Sequence, residues 1–339
     1  MTRPTFITRP LLRNLAWFAV AFALLVIVFG AFVRLSNAGL SCPDWPTCYG
    51  KLTWPKHDHE IEAANAAFPE RAVESHKAWR EQVHRFLAGG LILTTFTLAA
   101  FAVLRRREFG SLAGVLVGAS VLIVFQALLG MWTVTWKLKP VVVMAHLLGG
   151  LSTFSLLSYV ALRLSLAPFG RVDTAALRRL VVVGLVLVAL QIALGGWTSA
   201  NYAALACGTD FPTCAGQWWP ATDFREAFVL WRGIGVNYEG GVLDADARTA
   251  IQLSHRIGAL LVFGHLLGVV AAAWRRGFGR WALAVLAALL LQIALGVSNV
   301  LLGLPLPVAT AHNAGAALLL LVLVGLLVRL RPAPSPLAG

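Results

Sequence analysis

The sequence predicts an all-α integral membrane protein, with eight transmembrane helices arranged as two pseudo-symmetric four-helix bundles. Three observations carry this prediction. Of 339 residues, 58% are hydrophobic and only 13% charged, and the mean hydropathy is +0.76; a soluble domain is nearer half apolar and a quarter charged. The apolar residues come in runs of about 20, enough to cross ~30 Å of hydrocarbon at ~1.5 Å per residue. The second half of the chain also repeats motifs of the first. Disorder, a secreted disulfide scaffold and most soluble enzymes are thereby excluded.

The spans are predicted at 15–33, 83–104, 112–134, 141–163, 177–198, 251–273, 281–302 and 308–330. The first is too long for a signal-peptide core. Arg34-Leu35-Ser36 follows it without a small-x-small cleavage pattern, so it reads as a retained span. A pI near 10.6 would suit nucleic acid on charge alone. The basic residues, however, sit in short clusters between apolar runs, as the positive-inside rule requires, and no nucleic-acid partner is expected. Arg3, Arg9, Arg13, Arg105, Arg106, Arg107, Arg163, Arg171, Arg178, Arg179, Arg275, Arg276, Arg280, Arg329 and Arg331 fall on one side, fifteen of the 28 Lys and Arg. Both termini are therefore expected in the cytoplasm of a multi-pass cell-membrane protein. The long loops 34–82 and 199–250 then face outward.

The repeat holds one register. Cys42 and Cys48 match Cys207 and Cys214, and Gln126 through Gly130 matches Gln292 through Gly296. His146 matches His312 and His84 matches His255. The offsets are 165, 166, 166, 166 and 171 residues, so one small insertion precedes the sixth span. Each half has four spans, an even number, so the copies should insert in parallel about an axis along the membrane normal. The expected units are residues 1–170, with outer loop 34–82, and 171–339, with outer loop 199–250.

Four of the eight histidines repeat between halves: His84, His146, His255 and His312. Each is expected in the first turn or two of a span entered from outside. Two imidazoles on two helices of one bundle can ligate a haem iron from both sides, and an ionisable residue in a span is by default a functional candidate. The plainer alternative is packed helix-end histidines, which explains two matched pairs less economically. A mononuclear zinc or iron site would need a third ligand, for which only Glu81 is placed. Arg85 and Arg256 directly follow candidate ligands and suit haem propionates, because guanidinium binds carboxylate bidentately; snorkelling to the interface explains them equally well.

One difference between the halves stands out. Glu81 lies three residues before His84, on the same helix face, whereas Gln252 occupies that place before His255. A titratable group beside one site and a neutral copy beside the other suggest one reactive site and one that is structural or carries electrons. A carboxylate there can act as a general base or stabilise developing positive charge; alternatively it is a first-turn acid favoured by the helix dipole.

Cys42 and Cys48, and Cys207 and Cys214, read as two local disulfides on an oxidising side. Thiol exchange by one pair stays open, and so does zinc, although no close CxxC is present. His57, His59 and His76 are expected to be solvated, with His57-Asp58-His59-Glu60 a weak adventitious metal site. His265 reads as a packing contact that could touch a cofactor. Trp45, Trp54, Trp218 and Trp219 suit an interfacial belt, and residues 60–80 suggest a short surface helix.

Together, Arg34 through Gly50, Glu81-Gln-Val-His-Arg85, the four histidines and the paired loop cysteines resemble the haem A synthase family, across residues 15–330. The resemblance implies a membrane enzyme that oxidises the C8 methyl of haem O to a formyl group, giving haem A for terminal oxidases. It implies haem b on His255 and His312, substrate haem O on His84 and His146, and an acid needed for turnover at Glu81. Haem O synthase as supplier and an unidentified electron donor or acceptor are the implied partners, beside the lipid bilayer; a homo-oligomer stays open. The main rival is a dihaem b-type electron carrier, which leaves Glu81 and Gln252 unexplained. A transporter would show broken helices or midplane charge, and the sequence offers almost none.

Overall fold

The computed structural model describes residues 8–168 and 174–332. Arg3 and Arg171, two members of the inward basic set, lie outside them. The described residues form helices α1 (Thr8–Leu35), α2 (Asp58–Ala67), α3 (Ser75–Leu104), α4 (Arg106–Phe109), α5 (Ser111–Thr135), α6 (Pro140–Ser165), α7 (Ala175–Ala200), α8 (Phe224–Ala227), α9 (Ala245–Arg275), α10 (Gly279–Leu301) and α11 (Leu306–Arg329). Eight of these, all but α2, α4 and α8, are long and apolar enough to cross a membrane. Helices are what a lipid environment demands, because every backbone polar group must be satisfied within the segment.

The observed helices outrun the predicted spans at their loop ends. α3 starts at Ser75 rather than 83, and α9 at Ala245 rather than 251. Hydropathy marks only the stretch that suits hydrocarbon, while polar turns continue the helix beyond it. Asp244 starts α9 by accepting a hydrogen bond from the Ala247 amide at 2.8 Å, an N-cap. His84 and His255 consequently lie past the first two turns of their helices, whereas His146 and His312 keep to the expected first turn or two. His84 is the tenth residue of α3, His255 the eleventh of α9, and His146 and His312 each the seventh of α6 and α11. The surface helix is α2, and residues 75–80 belong to α3 instead.

α1 packs on α3 and α6, and α5 packs on both α3 and α6, closing a ring of four. α7, α9, α10 and α11 close a second ring in the same order. Between rings, α1 packs on α11, α7 on α6, and α6 on α11. One apolar core runs through both rings, from Leu12, Leu98 and Leu157 to Leu177, Leu266 and Leu323.

Backbone detail recurs at matching positions. Asn37 and Tyr202 both have positive φ, as do Tyr49 and Ala215, Gly50 and Gly216, and Leu138 and Leu304. Left-handed backbone is unfavourable for tyrosine, alanine and leucine. The local turn therefore dictates it, after α1 and α7, in the cysteine loops, and between α5 and α6 or α10 and α11.

Candidate functional site

Each repeated histidine lies against a glycine of a neighbouring helix. A Cβ placed on Gly30 of α1 would meet His84 Cε1 at 2.7 Å, and one on Gly195 of α7 would meet His255 Cε1 at 3.1 Å. On Gly296 of α10 it would meet His312 Cε1 at 3.1 Å, and on Gly130 of α5, His146 Cε1 at 3.5 Å. The absent side chains let four imidazoles turn into the bundles. His84 and His146 stand on helices that lie diagonally across the first ring, and His255 and His312 on helices diagonal in the second.

Nδ1 of His84, His146 and His312 is buried with no hydrogen-bond partner. His255 differs: Gln191 Nε2 lies 3.0 Å from its Nδ1 and donates to its carbonyl at 2.8 Å. His312 Nε2 meets Gln292 Nε2 at 3.4 Å. An imidazole nitrogen left unpaired in the interior is costly. The paired, half-buried rings, each seated against a glycine, could hold haem iron between two helices of one bundle.

Glu81 is 5% exposed. Its Oε2 accepts from the Cys42 amide at 2.9 Å and its Oε1 from Arg85 Nη2 at 2.6 Å. Arg85 Nη1 donates to the carbonyls of Asp44, at 2.9 Å, and Thr47. Arg256 likewise donates to the carbonyls of Thr213 at 2.8 Å and Asp210 at 2.9 Å. Both guanidinium groups thus pin a cysteine loop to a histidine-bearing helix. Disulfides Cys42–Cys48 and Cys207–Cys214 close those loops. Asp44 accepts from the Gly50 amide at 2.8 Å, and Asp210 from the matching Gly216 amide at 2.7 Å. At the position of Glu81 the second half buries Gln252, whose Oε1 has no partner.

Residues 13–324 match the cytochrome oxidase assembly protein family, COX15-CtaA. A Shewanella oneidensis protein named "Heme A synthase" is 44% identical over 300 residues, covering 88% of this chain and 90% of that protein. Proteins of the same name from Rhizorhabdus wittichii and Caulobacter vibrioides are 28% and 29% identical, covering 86% and 88% of this chain and 86% and 89% of theirs. The chain belongs to the haem A synthase family. Its membership and its eight apolar helices make it a multi-pass membrane protein.

For this haem A synthase family member, the remaining sequence candidates separate cleanly. His265 Nε2 lies 2.9 Å from the Leu180 carbonyl, a helix-packing contact. In the His57–Glu60 segment, the Glu60 carboxylate accepts from the Lys56 amide at 2.9 Å and from Lys51 at 3.1 Å. Among the described residues, no group of three or more His, Cys, Asp or Glu is arranged to hold a metal ion. Trp45, Trp218 and Trp219 are exposed and Trp54 is half-buried.

Sequence reasoning gave no account of the extended second outer loop, and the structure supplies one. Tyr238, 1% exposed, packs among Leu40, Val134 and Leu138 of the other half. Glu239 accepts from Arg71 at 2.9 and 3.2 Å, and this bond holds its carboxyl below the usual carboxylate range. Arg34 donates to the Ser199 carbonyl at 2.7 Å and the Tyr202 hydroxyl at 3.1 Å. The loop is a strap between halves. Sequence reasoning also missed Gly30 and Gly195, although they stand 165 residues apart in the register of the repeat.

Proposed function

We propose that the protein converts haem O to haem A. The C8 methyl is oxidised to an alcohol and then to a geminal diol, each step taking its oxygen from water and giving up two electrons and two protons to the electron acceptor, and the diol loses water to leave the formyl group. Residues 1–170 form the substrate half, with haem O held between His84 and His146. Residues 171–339 form the cofactor half, where His255 and His312 hold haem b. When bound, haem b supplies one-electron chemistry. The observation that carries this reading is the buried Glu81 against the buried Gln252, in frames that repeat their glycines and disulfide loops.

Arg85 and the Cys42 amide fix the Glu81 carboxylate one helical turn from His84. Held there, it accepts a proton from the substrate or stabilises positive charge at the reacting edge. Gln252 has the same shape and does neither. Arg85 and Arg256 keep the disulfide loops seated over the histidine helices, so their part is positioning. The protein sits in the cell membrane with both termini cytoplasmic, receives haem O from haem O synthase, and works with an electron donor or acceptor. An electron carrier with two haems would have no use for the acid.

The test is acid extraction of pigment from protein co-expressed with a haem O-producing enzyme, followed by mass-resolved chromatography. Haem b together with haem O, its alcohol or haem A is the expected result. Haem b alone would favour the electron carrier, and no haem at all would end the four-histidine argument.

A further inference from the structure

One cation near the proposed substrate site has no counter-charge. Arg80 is one turn from His84 on the same face of α3, toward the loop-bearing end. Its Cζ lies 5.1 Å from the Phe32 ring centroid and 5.9 Å from that of Trp79. Phe29 joins this cluster to the ligand: its ring is 5.8 Å from Phe32, 6.2 Å from Trp79, and stacks on His84 at 6.5 Å. Arg80 Nε is buried and unpaired, and among the described residues the guanidinium has no hydrogen bond or ion pair. The other arginines nearby are committed, Arg85 to Glu81 and loop carbonyls, Arg34 to Ser199 and Tyr202. In the second half, the position of Arg80 holds Ile251, fully buried.

We infer that Arg80 binds a carboxylate of the porphyrin held between His84 and His146, and so distinguishes the substrate site from the cofactor site. This rests on the reading of that pair as the haem O site. A partly buried guanidinium without an anion is unfavourable, and haem O brings two propionates that guanidinium binds bidentately. Arg85, which the sequence offered for this task, already spends its donors on the protein.

The test is a Soret-absorbance titration of the full-length, detergent-solubilised protein carrying its resident haem. The probes are haem O and haem O dimethyl ester, whose propionates carry no charge. The wild-type protein should bind the acid at least about tenfold tighter than the ester. Arg80→Ile should bind both with the affinity of the ester, and Arg80→Lys should keep part of the preference. A wild-type protein without preference would overturn the inference, and this arm needs no variant to fold. Equal losses of acid and ester in Arg80→Ile would also overturn it, by showing a structural or lipid-binding role. If the wild-type protein binds neither probe, the haem O reading itself fails.

Discussion

In the N-terminal half, the disulfide loop, the histidine helix and a buried acid form one hydrogen-bonded unit: the Cys42 amide and Arg85 meet on Glu81, and Arg85 continues to the loop carbonyls. In the C-terminal half, Arg256 makes the same loop contacts, but the acid is gone and the buried Gln252 oxygen is unpaired. That half instead braces its histidine from behind, through Gln191 on His255, where the first half has Val26. A duplicated scaffold can thus keep its turns, glycines and disulfides and still divide labour. On the proposed reading, a few side chains around the histidines, Glu81 against Gln252 above all, set the substrate half apart from the cofactor half.

The sharpest way to break the comparison is to erase it. Glu81→Gln copies the second half into the first, and haem A formation should fall by about 100-fold or more, while both histidine pairs still carry haem by absorbance. The reverse change, Gln252→Glu, should create no activity at the other pair. Normal product from Glu81→Gln would remove the acid from the mechanism.

The glycines give a graded series. Gly30→Ala presses a methyl into His84 at 2.7 Å, whereas Gly130→Ala makes an ordinary contact with His146 at 3.5 Å. Haem O retained on purification should drop about tenfold in the first and little in the second. Extracted pigment per protein measures both.

The two disulfides should separate stability from activity. Cys42→Ala/Cys48→Ala and Cys207→Ala/Cys214→Ala open loops of similar size, each costing about 2 kcal/mol, so the thermal shifts should be alike. Only the first loosens the Cys42 amide on Glu81, so only the first should also lower kcat. Equal effects on kcat would separate the loop from the acid.

The smallest expected effect concerns the strap. Arg71→Ala should cost less than about 1 kcal/mol but speed hydrogen exchange in residues 229–244. Because Arg71 holds the Glu239 carboxyl below its ordinary range, this contact stabilises the fold above the usual carboxylate pKa, about 4.3. It is lost as pH falls through the lower folded value. Exchange in the wild-type strap should therefore rise toward that of Arg71→Ala on strong acidification, and not between pH 8 and 6.

Much of this was legible because lipid imposes simple rules on sequence. Apolar runs marked all eight crossing helices, and the repeat singled out four histidines, the paired cysteines and the Glu81–Gln252 difference. The helix starts were not legible: segments such as Ser75-His-Lys and Ala245-Asp-Ala carry no hydropathy signal yet belong to the helix, in α9 behind the Asp244 cap. Adjacency to a candidate histidine did not reveal where the Arg85 guanidinium turns, which is to Glu81 and the loop carbonyls. Arg80, four residues from His84 on the same helix face, was legible as a charge whose counterpart in the repeat is Ile251. The strap was hidden because Tyr238 and Glu239 find their partners across the molecule, without any local pattern.

The most direct test of the divided halves is the pigment of two double variants, purified after co-expression with a haem O-producing enzyme. The His84→Ala/His146→Ala protein should keep haem b and carry no haem O or haem A. The His255→Ala/His312→Ala protein should lose haem b. The opposite pattern, or the same pigment loss in both, would contradict the assignment of substrate to one half and cofactor to the other.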